Sequence, residues 1–131
     1  MILNIDWKEI EKGIKNNNPE AYYKRGVIYL IAGDAVEKAI LDFRKAIELN
    51  PNFSEAYCAL GMASHWVGNL EKAIECYNKA IEIDPNNVDA YFNRAAAYEA
   101  LGKKDEAEKD YSKAMELVST GKYHTNNLQY P

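Results

Sequence analysis

The sequence predicts an all-α superhelix, a solenoid of antiparallel helix pairs, and three observations predict it. Ser54 to Asn87 reads as two amphipathic helices joined at Gly68-Asn69 and stopped by Pro85-Asn86-Asn87. The same order of residue types then returns at a fixed distance. Pro51 to Pro85, Tyr57 to Tyr91, Gly68 to Gly102, Ala73 to Ala107, Tyr77 to Tyr111 and Ala80 to Ala114 are each 34 residues apart. Tyr22 to Tyr57 is 35, because the turn after Gly33 carries one extra residue. Finally, the connections within each unit are short, which makes the paired helices antiparallel. A unit of this size cannot bury its own apolar face, so the units stack.

The elements follow in order. Residues 1–18 form an N-terminal capping helix: Asp6 followed by Glu9 reads as a capping box, and Leu3, Trp7, Ile10 and Ile14 fall on one stripe. Gly13 weakens that helix and Asn16-Asn17-Asn18-Pro19 ends it. Its expected place is over the open side of the first repeat, with docking in a groove as the alternative. Repeat one, residues 19–53, has helices at about 19–32 and 36–49; Pro19 is tolerated in a first turn. Repeat two, residues 54–87, has helices at about 53–67 and 70–83. Repeat three, residues 88–118, has helices at about 87–101 and 104–118. Residues 119–131 carry no helical period and read as an irregular C-terminal tail. No separate solvating helix follows the third repeat, so Met115, Leu117 and one side of Tyr111 are expected to be partly uncovered unless Tyr123, Leu128 and Tyr130 fold back.

Within the repeats the columns make physical sense. Tyr57, Leu60, Gly61 and Ser64 recur at helical spacing on one helix, and Ala73, Tyr77, Ala80 and Ile81 on the next. Gly26, Gly61 and Ala95 share a column, which implies close approach of two backbones. This pattern closely resembles the tetratricopeptide repeat family. The resemblance rests on Tyr22, Tyr57 and Tyr91, on that small-residue column, on the triples Ala39-Phe43-Ala46, Ala73-Tyr77-Ala80 and Ala107-Tyr111-Ala114, and on Pro51 and Pro85. It covers residues 19–118. The departures are Arg25 and Arg94 where Leu60 stands, Ser64 where Tyr29 and Tyr98 stand, and Ser119 where a proline is expected. The arginines suggest that part of their column meets solvent.

Composition excludes several functions. Hydrophobic residues make up 47% and charged residues 27% of 131 residues, an ordinary globular balance. A net charge of −4 with a pI near 5.2 argues against a nucleic-acid binder. No apolar run approaches a membrane span and the first residues lack a secretory pattern, so a cytoplasmic location is expected. Cys58 and Cys76 lie on the two helices of one repeat and are read as reduced, semi-buried residues. No metal-ligand spacing, phosphate-binding loop or nucleophile with its base is present, so neither enzyme activity nor a cofactor is expected. His65 and Glu99, 34 residues apart, share a column and are read as a groove-lining contact.

What remains is shape. The resemblance implies that the first helix of each repeat lines a concave surface. Carrying the period places Tyr23, Lys24, Val27 and Leu30 there from repeat one, Cys58, Ala59, Met62 and His65 from repeat two, and Phe92, Asn93, Ala96 and Glu99 from repeat three. Val27, Met62 and Ala96 form an apolar row beside Tyr23, Cys58 and Phe92. Such a groove suits an extended peptide or amphipathic helix, with affinity near micromolar, about −8 kcal/mol. Some family members grip a C-terminal carboxylate with a Lys, Asn, Asn, Lys and Arg set. Only Asn93 matches it here, while Cys58 and Met62 stand where Lys and Asn belong, so no carboxylate clamp is expected. The expected function is therefore a non-enzymatic module that binds a protein or peptide partner. The alternative is a homo-oligomeric scaffold, assembled through uncapped ends or a swapped N-terminal helix.

Overall fold

A computed structural model describes residues 5–123. Leu3, Leu128 and Tyr130, which entered the expectations above, lie outside the described residues. Among the described residues there are seven helices and no strand: α1 (Trp7–Lys15), α2 (Pro19–Ala32), α3 (Val36–Leu49), α4 (Ser54–Trp66), α5 (Leu70–Ile83), α6 (Val88–Ala100) and α7 (Lys104–Thr120).

Each boundary has a local cause. The Asp6 carboxylate accepts the Glu9 amide at 3.2 Å and opens α1. Asn18, Asn69 and Asn87 cap α2, α5 and α6 in the same way, with Pro19 in the first turn of α2. Gly33, Gly68 and Gly102 follow α2, α4 and α6 with positive φ, a conformation glycine adopts without a Cβ penalty. The final helix runs two residues beyond its expected end, because Ser119 and Thr120 continue it and Gly121 caps it at φ 70°. The hydroxyls of both residues bond back to the Glu116 carbonyl.

Helices α2 and α3, α4 and α5, and α6 and α7 pack as pairs, while α1 against α2, α3 against α4 and α5 against α6 join the pairs in sequence. The core follows the periodic columns. Ala39, Phe43, Ala73, Tyr77 and Ala80 are fully enclosed, and Ala46 and Ala114 occupy equivalent places in the outer units. The close approach at the small-residue column is ring on backbone rather than backbone on backbone. A Cβ on Gly26 would stand 2.6 Å from the Phe43 ring, and one on Gly61 would stand 2.5 Å from the Tyr77 ring.

The column of Arg25 and Arg94 holds an ion pair. Arg25 meets Asp42 through Nε and Nη2 at 2.9 and 2.8 Å. Arg94 meets Asp110 at 2.7 and 2.6 Å, with Nη1 also on Asn78 at 2.8 Å. Each guanidinium lies near two tyrosine rings: Tyr22 and Tyr29 for Arg25, Tyr91 and Tyr98 for Arg94, all at 5.7–5.9 Å. The expected solvent access is partial: the Arg25 side chain is 31% exposed and that of Arg94 19%.

At the far side of the stack, Met115 and Val118 are exposed, but Leu117 is enclosed with Val88, Tyr91 and Ala114. Leu117 therefore departs from the expected uncovered patch. The outward face of α7 instead carries Asp105, Glu108, Lys109, Ser112, Lys113 and Glu116. Glu108 stands where Ile40 and Ile74 stand in the earlier units, and Lys104 where Val36 and Leu70 do. The outward face of α7 is thus polar at columns that are apolar in α3 and α5.

Candidate interaction surface

The inner helices α2, α4 and α6 lie next to one another, α2 against α4 and α4 against α6. They bring the residues expected on the concave side together, with unequal exposure. Lys24 and Glu99 are exposed, and Tyr23, Val27, His65, Phe92 and Ala96 are half-buried. Leu30, Cys58, Ala59, Met62 and Asn93 are buried.

The buried members have identifiable surroundings. Ala59 is fully enclosed and belongs to the main core with Cys58, Met62 and Leu30. Asn93 is 1% exposed, and its amide donates to the Cys58 sulfur at 3.5 Å. The asparagine that matched one element of a carboxylate clamp is therefore held between α4 and α6. Burial pushes the Cys58 thiol far above its ordinary value, and raises Cys76 to about 11. Both cysteines are free thiols and lie deeper than the semi-buried places expected of them, at 0% and 4% exposure.

At the accessible positions the chemistry is mixed. Tyr23 packs against Phe53 and Phe43, with ring centroids 5.1 and 6.1 Å apart. Phe92 packs against Tyr111 at 6.1 Å. The Tyr111 hydroxyl donates to Glu99, and this bond raises the Tyr111 pKa to about 12. The Glu99 carboxylate is thus anchored to the outer helix of its own repeat. Burial lowers the His65 pKa below 6.5 and favours the neutral ring. Beyond the expected set, Ile31 is 58% and Trp66 48% exposed. They are equivalent residues of α2 and α4 one period apart, so the period alone places them together once the column next to Leu30 and His65 is followed.

Among the described residues no helix is long and apolar enough to cross a membrane, and no three His, Cys, Asp or Glu groups gather as a metal site.

Four family models, described as TPR repeat or tetratricopeptide repeat, match residues 19–53, 43–75, 67–102 and 88–119. No curated protein matches the chain at a significant level. Solved structures do. One, described as the crystal structure of MamA, is 38% identical over 79% of this chain and 60% of that one, with a TM-score of 0.73. A second, described as the crystal structure of MamA protein, is 34% identical over 92% of this chain and 67% of that one, also at 0.73. The TPR domain of Arabidopsis OM64 is 29% identical over 78% of this chain and 84% of that domain, at 0.73. The chain thus spans about three fifths to two thirds of the length of the two MamA structures. With the repeat columns, the paired helices and these matches in agreement, the chain belongs to the tetratricopeptide repeat family, whose fold is a protein–protein interaction module.

Proposed function

We propose that the chain binds a peptide or amphipathic helix of a partner protein along the inner face of α2, α4 and α6, without catalysis. The observation that carries this reading is the recurrence of half-buried apolar side chains at the same register on the two inner helices that flank α4: Tyr23 and Val27 on α2, Phe92 and Ala96 on α6. A partner would touch these together with Lys24, His65 and Glu99. Cys58, Ala59, Met62 and Asn93 would act from below, by fixing the spacing of the helices. Each partner Leu or Phe buried there contributes roughly 1.5–3 kcal/mol, so two or three anchors, less the cost of association, give affinities near micromolar. The working location is the cytoplasm.

The test is affinity capture on wild type and on Val27→Lys with Ala96→Glu, followed by titration of the captured partner. The reading requires that the variant keep its melting temperature and lose the partner. Retention of the partner by the variant would remove the inner face from consideration.

A second reading, self-assembly into a scaffold, is favoured by Trp7, Met115 and Val118, which are 44%, 58% and 42% exposed at the two ends of the stack. The charged remainder of the outward face of α7 opposes it. Light scattering with residues 1–17 present and removed separates the two readings.

A further inference from the structure

Helix α1 covers α2 as α3 covers α4 and α5 covers α6, but it is shorter. It has nine residues where α3 and α5 have fourteen. At 1.5 Å per residue it falls short by roughly 7–8 Å. The two helices are pressed together at Gly13, where a Cβ would stand 2.5 Å from the Ala21 Cβ. Among the described residues, α1 runs antiparallel from there and stops short of the last turns of α2.

One residue at this place differs from its equivalents, while Ile31 is exposed as its equivalent Trp66 is. Ile28 occupies the column of Ala63 and Ala97, which are fully buried beneath the preceding repeat. Ile28 is half-buried and Ile31 is exposed. A cleft of about 500 Å³ runs between the two helices at this place. Its floor includes Ile10, Val27, Ile28 and Ile31, and its walls bear the carboxylates of Asp6, Glu9 and Glu20 against one lining cation, Lys24.

We infer that this cleft docks a short amphipathic helix of a partner protein, with an aliphatic face toward Ile28 and Ile31 and lysine or arginine on its flanks. The inference rests on reading the chain as an interaction module; the cleft shares Tyr23, Lys24 and Val27 with the inner face and adds Ile10, Ile28 and Ile31, while Phe92 and Ala96 lie outside it. The occupant would supply the missing length of the covering helix, so its apolar face completes a repeat-like contact. Its basic flanks answer the excess of carboxylates. A helix with acidic flanks is repelled by the same three groups.

The test is amide chemical-shift mapping on the full chain. The probe is a helical peptide of about four turns with leucine on one face and lysine on the other, compared with a counterpart bearing glutamate in place of lysine. The lysine peptide is expected to shift the amides of Ile10, Ile28 and Ile31 and to bind at least about tenfold more tightly than its counterpart. Ile28→Ala with Ile31→Ser should abolish that binding without changing the melting curve, since alanine already serves at this column in the other repeats. Glu9→Lys with Glu20→Lys should weaken it by about tenfold. Equal affinity for the two peptides, or no shift with either, overturns the inference. Shifts confined to Phe92 and Ala96 overturn it while supporting the inner face as the binding surface. A concentration-dependent mass that is lost in the Ile28→Ala, Ile31→Ser variant would assign the cleft to a second copy of the chain, and would overturn it too.

Discussion

Arg94 and Asp110 face each other fork to fork, with Nε to Oδ2 at 2.7 Å and Nη2 to Oδ1 at 2.6 Å. The same pair recurs in the first repeat as Arg25 and Asp42. In the middle repeat the two columns change together: Leu60 stands at the arginine position and Cys76 at the aspartate position. The chain therefore solves one helix–helix contact in two ways, ionic at the outer units and apolar at the centre.

That internal comparison sets the first prediction. Asp110 is almost enclosed, at 7% side-chain exposure, and removing it leaves Arg94 partly buried without its carboxylate. Burial works against the Arg94 charge, and it is the Asp110 hydrogen bonds that nevertheless raise its pKa. Asp110→Ala should cost about 2–3 kcal/mol in urea denaturation. Asp42→Ala should cost less, because Arg25 is more exposed and screened. The double change Arg94→Leu with Asp110→Cys copies the middle repeat and should recover most of the loss. A double variant no more stable than Asp110→Ala would show that the two solutions are not interchangeable.

The seven helices were legible because the period of 34 repeats columns that each have one physical job. The ion pairs were half legible. Arg25 and Arg94 stood out as departures, but their partners did not, although Asp42, Cys76 and Asp110 vary in step with Arg25, Leu60 and Arg94. Following two columns at once would have revealed the pairing. Burial along the inner face was not legible. The same register position is open at Val27 and Ala96 and closed at Met62, because the central helix is enclosed by neighbours on both sides and the outer ones are not. Nor does a linear pattern tell that an aromatic ring, rather than a second backbone, presses on Gly61.

The ring contact predicts a cost at that glycine. A methyl group on Gly61 would stand 2.5–3.0 Å from three atoms of the Tyr77 ring, which is itself fully buried. Gly61→Ala should therefore destabilise the protein by about 1–3 kcal/mol through overpacking, despite the better helix propensity of alanine. Replacing Tyr77 by Leu in the same chain should relieve part of it. Thermal denaturation of the two variants and of wild type checks this. A Gly61→Ala protein as stable as wild type would mean that the ring can move aside.

The buried thiols predict alkaline sensitivity. Burial raises Cys58 and Cys76 above the ordinary value of 9.0, Cys76 to about 11. Above about pH 9 the unfolded chain has lost these protons while the folded chain keeps them, so stability is complete below that pH and falls as pH rises. Tyr91 and Tyr111, also raised, act in the same direction. The readout is therefore the difference between wild type and Cys58→Ala with Cys76→Ala, which should have a shallower loss between pH 9 and 11. Parallel curves would exclude the thiols. At the acid end His65 works oppositely: burial lowers its pKa, the unfolded chain protonates first, and stability falls as pH drops below about 6.5.

The outward face of α7 yields the last prediction. Columns that are apolar where another repeat follows, Val36 with Leu70 and Ile40 with Ile74, are Lys104 and Glu108 here. Met115 keeps the apolar character of Ile47 and Ile81 and is 58% exposed. Charged side chains at these columns disfavour docking of a further helix on this face. Lys104→Leu with Glu108→Ile restores the internal pattern and joins it to Met115. The variant should form dimers or larger species whose mass rises with concentration in light scattering, while wild type at the same concentrations does not associate through this face. Adding Met115→Lys to the variant should reverse the association. If the variant keeps the mass of the wild type, the polar substitutions in α7 do not control stacking, and the protection must come from the shape of that end rather than from its charge.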